Sequence, residues 1–174
     1  AMRQVMKAYN DIFDEHNRIF EHAFKEYGCV THHGFYSNSL LAIPQCDFGF
    51  NIGKGQFDEF ALPYLKDEIA RLDVSAYHLD GPGNIVHTES VCSIDKIGVI
   101  QWVPGIGNED KDWTWLYEKI NALGKGMWLC ADSPKTAVAL WEKYGRPKRM
   151  ILSVYTETKD DGLRYLEAFE RARG

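Results

Sequence analysis

The sequence predicts an α/β fold built from parallel strand–helix units. Four apolar segments, each followed by a segment with helical periodicity, succeed one another from residue 74 onward. Parallel strands need a crossover, and a helix between two strands supplies it. The four segments are nearly continuous apolar runs, which is typical of a sheet covered on both faces. They lie at 74–79, 97–103, 127–131 and 149–155.

The helices follow from apolar residues spaced three and four positions apart. A leading helix over 1–27 ends at Gly28, and Pro63 is expected to kink the second helix. Ser133-Pro134 and the run beginning at Thr158 have the residues of helix N-termini. The helices after the leading one are predicted over 56–72, 84–93, 111–123, 134–145 and 158–171.

The segment between the leading helix and residue 53 is less regular. Two strand-like runs, 30–36 and 41–48, flank a polar loop. The pattern leaves open whether both runs join the sheet. We therefore expect a single domain over 1–174, with the leading helix followed by about five strand–helix units over 28–174.

Composition limits the classes of function. The chain has 174 residues, 45% of them hydrophobic, and a formal net charge of −5, so it is expected to fold and to lack the basic surface that nucleic acid or anionic lipid requires. It has no apolar run long enough to span a membrane and no apolar signal segment at its start. The four cysteines form no C-x-x-C pair, which indicates reduced thiols and predicts a cytoplasmic protein.

Polar residues collect where the predicted strands end. In parallel α/β proteins, sites lie at the carboxyl ends of the strands. Ordinary solvated loops account equally well for several of these residues, but His78, Asp80, Gln101 and Trp102 interrupt or end their strands before the turn glycines. The residues at this edge are Asp47, Asn51, His78, Asp80, Gln101, Trp102, Cys130, Asp132, Tyr155, Thr156 and Glu157.

His78 and Asp80 are also candidate metal ligands. Residues i and i+2 of a strand point the same way, so both side chains could reach one ion. A catalytic zinc site needs three protein ligands, and Asp47, Cys130 or Glu157 could supply the third. The adjacent pair His32-His33 points to opposite faces of a strand, so at most one of the two could face the site.

Several motifs resemble the uroporphyrinogen decarboxylase superfamily. The stretch 57–67 reads F-D-E-F-A-L-P-Y-L-K-D and follows Gln45-Cys46-Asp47-Phe48 and a glycine-containing loop. Three further motifs occur in the same order as in that family. They are the segment 77–81, the pair Gln101-Trp102, and Gly124-Lys125 before L-C-A-D-S-P at 129–134. The stretches 78–83 and 100–105 are similar to an uncharacterised branch of the superfamily.

The resemblance implies the C-terminal half of a TIM-type (β/α)8 barrel. The family decarboxylates uroporphyrinogen III without a cofactor, in tetrapyrrole metabolism, and a second branch consists of zinc enzymes that handle methylated corrinoids. From their positions at the strand ends, we expect His78, Asp80 and Asp47 to be catalytic and the following to bind substrate: Gln101, Trp102, Asn51 and Tyr155. Of the ligand set of the zinc branch only His78 is retained, and His78 and Asp80 are the candidate metal ligands.

This sequence also departs from the family's pattern. The family's catalytic aspartate and tyrosine and its arginine-rich segment belong to the other half of the barrel. The histidine–glycine pair after the last strand is replaced by Ser153-Val154-Tyr155-Thr156, and the H-x-C motif of the zinc branch becomes His78-Leu79-Asp80. We therefore expect this piece alone to be inactive, or to be a non-catalytic binding remnant. A half-barrel leaves strand edges unpaired, so it should form a homodimer or associate with a missing N-terminal half.

Overall fold

The computed structural model describes residues 1–31, 33–145 and 150–173. Its centre is a five-stranded, all-parallel sheet whose strands lie side by side in chain order. The sheet curls into a half-barrel, which confirms the α/β class and is compatible with a partial (β/α) barrel. The predicted strand start at Arg149 lies outside the described residues. The strands are β3 (Leu41–Ala42), β4 (Val74–Asp80), β5 (Ile97–Val103), β6 (Gly126–Ala131) and β7 (Met150–Val154).

The helices agree with the periodicity except where proline or local packing interrupts them. The predicted helix over 56–72 is two helices that meet at Ala61, because Pro63 lies in the first turn of the second and cannot continue the first. The predicted helix over 134–145 ends in a π-helical turn, Trp141–Gly145. The α-helices are α1 (Met2–Tyr27), α2 (Lys54–Phe60), α3 (Leu62–Ala70), α4 (Thr88–Cys92), α5 (Thr114–Ala122), α6 (Pro134–Leu140) and α7 (Lys159–Arg173).

The two strand-like runs before residue 53 have different roles. The first contributes to a small antiparallel hairpin of β1 (Cys29–Val30) and β2 (Tyr36–Ser37), apart from the main sheet. The second joins the main sheet through Leu41–Ala42 and through a bridge between Gln45 and His78. It does not continue as a strand to residue 48, because Asp47–Asn51 forms a 3-10 helix.

The two faces of the sheet are covered differently. Strand side chains such as Tyr77, Leu79 and Ile100 point toward the helices and form the large core with α2 to α5. Alternate residues point to the concave face, where a small cluster of Ile43, Ala76, Val99 and Trp128 packs against Phe35 of the hairpin segment and Ile151. The concave face is therefore covered by a short hairpin segment.

The predicted apolar face of α1 is only partly buried. Asn10 is buried and donates a hydrogen bond to the Tyr64 carbonyl, whereas Val5 and Ile12 are 66% and 70% exposed. Helix α1 thus contacts α3 but leaves apolar side chains in solvent. Among the described helices, none combines the length and apolar composition needed to cross a bilayer.

Phe57, the first residue of the motif F-x-x-F, has a packing role that can be measured. Its side chain is fully buried and its ring stacks on His87 with centroids 4.1 Å apart. Phe57→Ala should lower the free energy of unfolding in urea by about 3–5 kcal/mol, because it removes a whole buried ring. Phe48→Ala, at a ring that is 53% exposed, is the control and should change stability by less than about 0.5 kcal/mol. Equal losses in both variants would contradict this placement of the core.

Candidate functional site

His78 and Gln101 meet on the concave face because β4 and β5 are in parallel register there. His78 pairs with Gln101 in the ladder, and its backbone N–H donates to the Pro44 carbonyl on the other side. The His78 Nδ1 atom lies 2.5 Å from Gln101 Oε1. Both side chains are partly buried. The structure thus brings together two of the residues predicted from the strand ends.

The partner atom on Gln101 indicates the tautomer of His78. With the amide oxygen Oε1 as acceptor, the bond is made by the tautomer that carries its proton on Nδ1. In the neutral ring the lone pair is therefore on Nε2. Protonation at Nε2 leaves the bond to Gln101 intact.

A row of side chains continues from His78 and Gln101 across the concave face. Gln101 pairs in register with Trp128 of β6, and the Trp128 indole N–H donates to Ser153 Oγ at 2.6 Å. The His33 ring lies edge-on to Trp128, with centroids 4.9 Å apart, and 6.2 Å from the His78 ring. We call His78, Gln101, Trp128 and Ser153 the concave-face row.

A separate cleft of about 540 Å³ holds the predicted carboxylates. Asp47, Asn51 and Asp80 all line it, together with Asn84 and the loop around Asn108. Asp80 follows His78 by two residues and so projects on the same face of β4. We call this the carboxyl-end cleft. Its polar lining consists of carboxylate and amide groups.

The turn after β4 holds Asp80 at the end of the strand. Gly81 has a φ of 76°, a left-handed conformation that favours glycine, and its N–H donates to the Val103 carbonyl at 2.8 Å. Asn84 is 4% exposed, and its Nδ2 donates to the Asp80 carbonyl at 2.6 Å. The turn is therefore tied to both β4 and β5, which gives the cleft a rigid wall.

Two predicted binding residues lie elsewhere. Trp102 is 6% exposed on the helix-covered face and packs edge-on against Trp113 at 4.9 Å, because residue 102 alternates with Gln101 along β5. Tyr155 follows the end of β7 and is 88% exposed. The structure thus places both side chains apart from the carboxyl-end cleft and from the concave-face row.

The zinc alternative does not fit the part of the chain that the structure describes. Within it, no three His, Cys, Asp or Glu side chains lie close enough to hold one ion. Cys130, one candidate third ligand, stands opposite Ser153 in the ladder, and burial raises the pKa of its thiol, which favours the neutral form. Glu157 is exposed beyond β7. Among the described residues, therefore, none completes a three-ligand set with His78 and Asp80.

The sequence reasoning missed Trp128, Ser153 and Asn84. Trp128 and Ser153 were missed because the register that places Trp128 beside Gln101 and the Trp128–Ser153 hydrogen bond depend on sheet pairing. His33, one of the adjacent histidine pair, does face the site, whereas His32 lies outside the described residues. Asn84 gave no signal, because its burial depends on the close approach of the segment around Gly49.

Comparisons with protein-family models, curated proteins and solved structures gave no match to this chain.

The Gln101 hydrogen bond should determine the tautomer of His78. In Gln101→Ala, the ring loses its acceptor and should shift toward the Nε2–H tautomer that free imidazole prefers in water, as seen in imidazole ¹⁵N chemical shifts. Gln45→Ala is the control. Gln45 lies beside His78 on the opposite strand, but its amide donates to Asp47. Unchanged ¹⁵N shifts of His78 in Gln101→Ala would contradict the assigned bond.

Proposed function

We propose that this chain is the C-terminal half of a TIM-type barrel of the uroporphyrinogen decarboxylase superfamily. In the assembled barrel it would act on uroporphyrinogen III or a related tetrapyrrole acid, without a cofactor. The observation that carries the proposal is the His78–Gln101 pair on the concave face of a parallel half-barrel. Groups at the carboxyl ends of barrel strands are the usual position of active-site residues.

In this proposal, His78 is the proton donor that decarboxylation requires. When a carboxylate leaves as CO2, the bond electrons stay on the carbon, and that carbanion must receive a proton. Protonated His78 would give the proton from Nε2 while Gln101 holds Nδ1, and the ring would then recover a proton from water. The Gln101 bond persists in both states, so the ring need not reorient between the two steps.

The carboxyl-end cleft supports recognition of the pyrrole nitrogens. Asp47 and Asp80 offer carboxylate oxygens and Asn51 an amide, all of which can accept hydrogen bonds from pyrrole N–H groups. No lysine or arginine is among the residues lining this cleft. The ligand's own carboxylates would therefore be bound by cations outside the cleft, which in this proposal come from the rest of the barrel.

Association would complete the half-barrel. β3 and β7 are the edges of the main sheet and each pairs on one side only, so their outer backbone groups can accept another strand. The exposed apolar side chains of α1, including Val5 and Ile12, add surface that a partner would cover. We propose a homodimer, or pairing with an N-terminal half of the same barrel.

Sedimentation equilibrium tests the association. At micromolar concentration the chain should sediment as a dimer, because both sheet edges and the apolar surface of α1 are unpaired in a monomer. Ile12→Glu should shift the population toward monomer, since it introduces a charge where a partner would bury a side chain. Glu170→Gln, at an exposed position on α7, is the control and should not shift it. A monomer across this range would contradict the homodimer.

Ligand binding tests the role of His78. Uroporphyrin III, the oxidised and fluorescent form of the substrate, should bind the assembled chain. His78→Ala should lower its affinity at least tenfold with little change in melting temperature, because a site residue contributes little to packing. Fluorescence titration and a thermal melt measure the two quantities.

His87→Ala provides the opposite control. His87 is 1% exposed, lies 2.9 Å from the Gly49 carbonyl through Nε2, and stacks on Phe57. Its replacement should lower the melting temperature and leave the affinity for uroporphyrin III near that of the wild type. The functional role of His78 is wrong if His78→Ala melts many degrees lower and still binds, or if the wild-type assembly does not bind the porphyrin.

A further inference from the structure

Glu68 is a buried carboxyl group that belongs to neither the concave-face row nor the carboxyl-end cleft. It lies on α3, is 7% exposed, and lines a separate cavity of about 330 Å³ between α1, α3 and the edge of β3. Its side chain makes no hydrogen bond or ion pair with any described residue. A carboxyl group in this position is costly to ionise unless a partner satisfies it.

The nearest cation is engaged with other carboxylates. Arg71, three residues along the chain, forms an ion pair with Asp14 through Nε and with Asp67 through Nη1, the latter at 2.9 Å. Asp67 also accepts a hydrogen bond from Asn10 Nδ2 at 2.9 Å. The guanidinium is therefore paired with these two aspartates. Its attraction lowers the pKa of Glu68, but by less than burial raises it.

The electrostatics agree with this geometry. Burial raises the pKa of Glu68 to about 7, and Arg71 opposes the rise only in part. Two other ionisable groups interact with it: the pKa of Tyr9 on α1 and that of Tyr77 on β4 are both raised, mainly by burial and in part by Glu68. Burial therefore disfavours the ionised form of Glu68, and a cation paired with its carboxylate would offset that cost.

The cavity wall combines apolar surface with a few polar groups. Phe13, Leu41 and Ile43 supply the apolar part, and Tyr9, Thr31 and Gln45 bring groups that can hydrogen-bond. This is the composition of small-molecule sites, in which a few polar groups orient a mostly apolar ligand. An engineered cavity of about 150 Å³ holds benzene, so this one can hold an aromatic ring with a short chain.

We propose that this cavity binds a small organic amine, whose ammonium group pairs with Glu68 and whose apolar body lies against Phe13, Leu41 and Ile43. An ammonium ion supplies both the charge and the hydrogen-bond donors that Glu68 lacks. A bare metal ion is disfavoured, because the cavity offers one carboxylate and largely apolar walls. A carboxylic acid is disfavoured because it would bring a second negative charge.

Calorimetry with 2-phenylethylamine tests the proposal. Saturable binding should be accompanied by proton release at about pH 6.5, because most Glu68 is neutral there and the ammonium favours its ionised form. At about pH 9 Glu68 is already ionised, so the release should vanish. Titrations in two buffers of different ionisation enthalpy measure the number of protons. This measurement uses only the wild-type chain, so its result does not depend on whether a variant folds.

Glu68→Gln should lower the amine affinity at least tenfold at about pH 9 and abolish the proton release at about pH 6.5. The amide resembles the neutral carboxyl, so the variant should fold, and above neutral pH it should melt no lower than the wild type. Glu109→Gln, at an exposed position, removes the same charge and should leave binding unchanged. 2-Phenylethanol, which has the same body without the charge, should bind at least tenfold more weakly.

The amine site would be overturned by any of three binding results: no saturable binding of 2-phenylethylamine, equal affinity in Glu68→Gln, or equal affinity for 2-phenylethanol. Binding without proton release near neutral pH would also overturn it, since that would place the ammonium away from Glu68.

Discussion

The alternation of side chains along the parallel strands is the constraint on which the rest of this structure depends. Along β4, Tyr77 and Leu79 enter the core beneath the helices, so His78 and Asp80 must project to the concave face. The same rule places Gln101 beside His78 and sends Trp102 into the core. A shift of one residue in register would exchange these roles and bury the imidazole among apolar groups.

The half-barrel makes its two faces energetically unequal. Helices cover the convex face, where side chains such as Phe57 and Leu116 are fully buried. The concave face has a smaller apolar cluster, the hairpin segment and the polar concave-face row. Because a closed barrel would shield that row from water, closure would strengthen the electrostatic interactions of His78. In the proposed barrel, assembly and chemistry would therefore depend on the same surface.

The regular part of the fold was predictable because strand and helix periodicities are local properties of the chain. The strand 97–103 and the break at Pro63 required no knowledge of distant residues. The site was predictable only in part. Asp47, Asn51 and Asp80 meet in the cleft as strand ends suggest, but Trp102 did not. Whether the Trp102 side chain points to the helices or to the concave face depends on which of two alternating positions it occupies along the strand. A single sequence does not determine which alternate positions face the helices.

The motif that carries the family resemblance concerns folding more directly than chemistry. Phe57 packs on His87, and the Tyr64 carbonyl receives the Asn10 side chain. Lys125 donates to the Ile94 carbonyl at 2.8 Å. These residues position β4 and β6 without touching the cleft, so a chain could keep them while its site changed. Among the described residues, those that line the carboxyl-end cleft include carboxylates and amides but no lysine or arginine. A ligand of the proposed kind would therefore have to present N–H groups to this cleft and its carboxylates elsewhere.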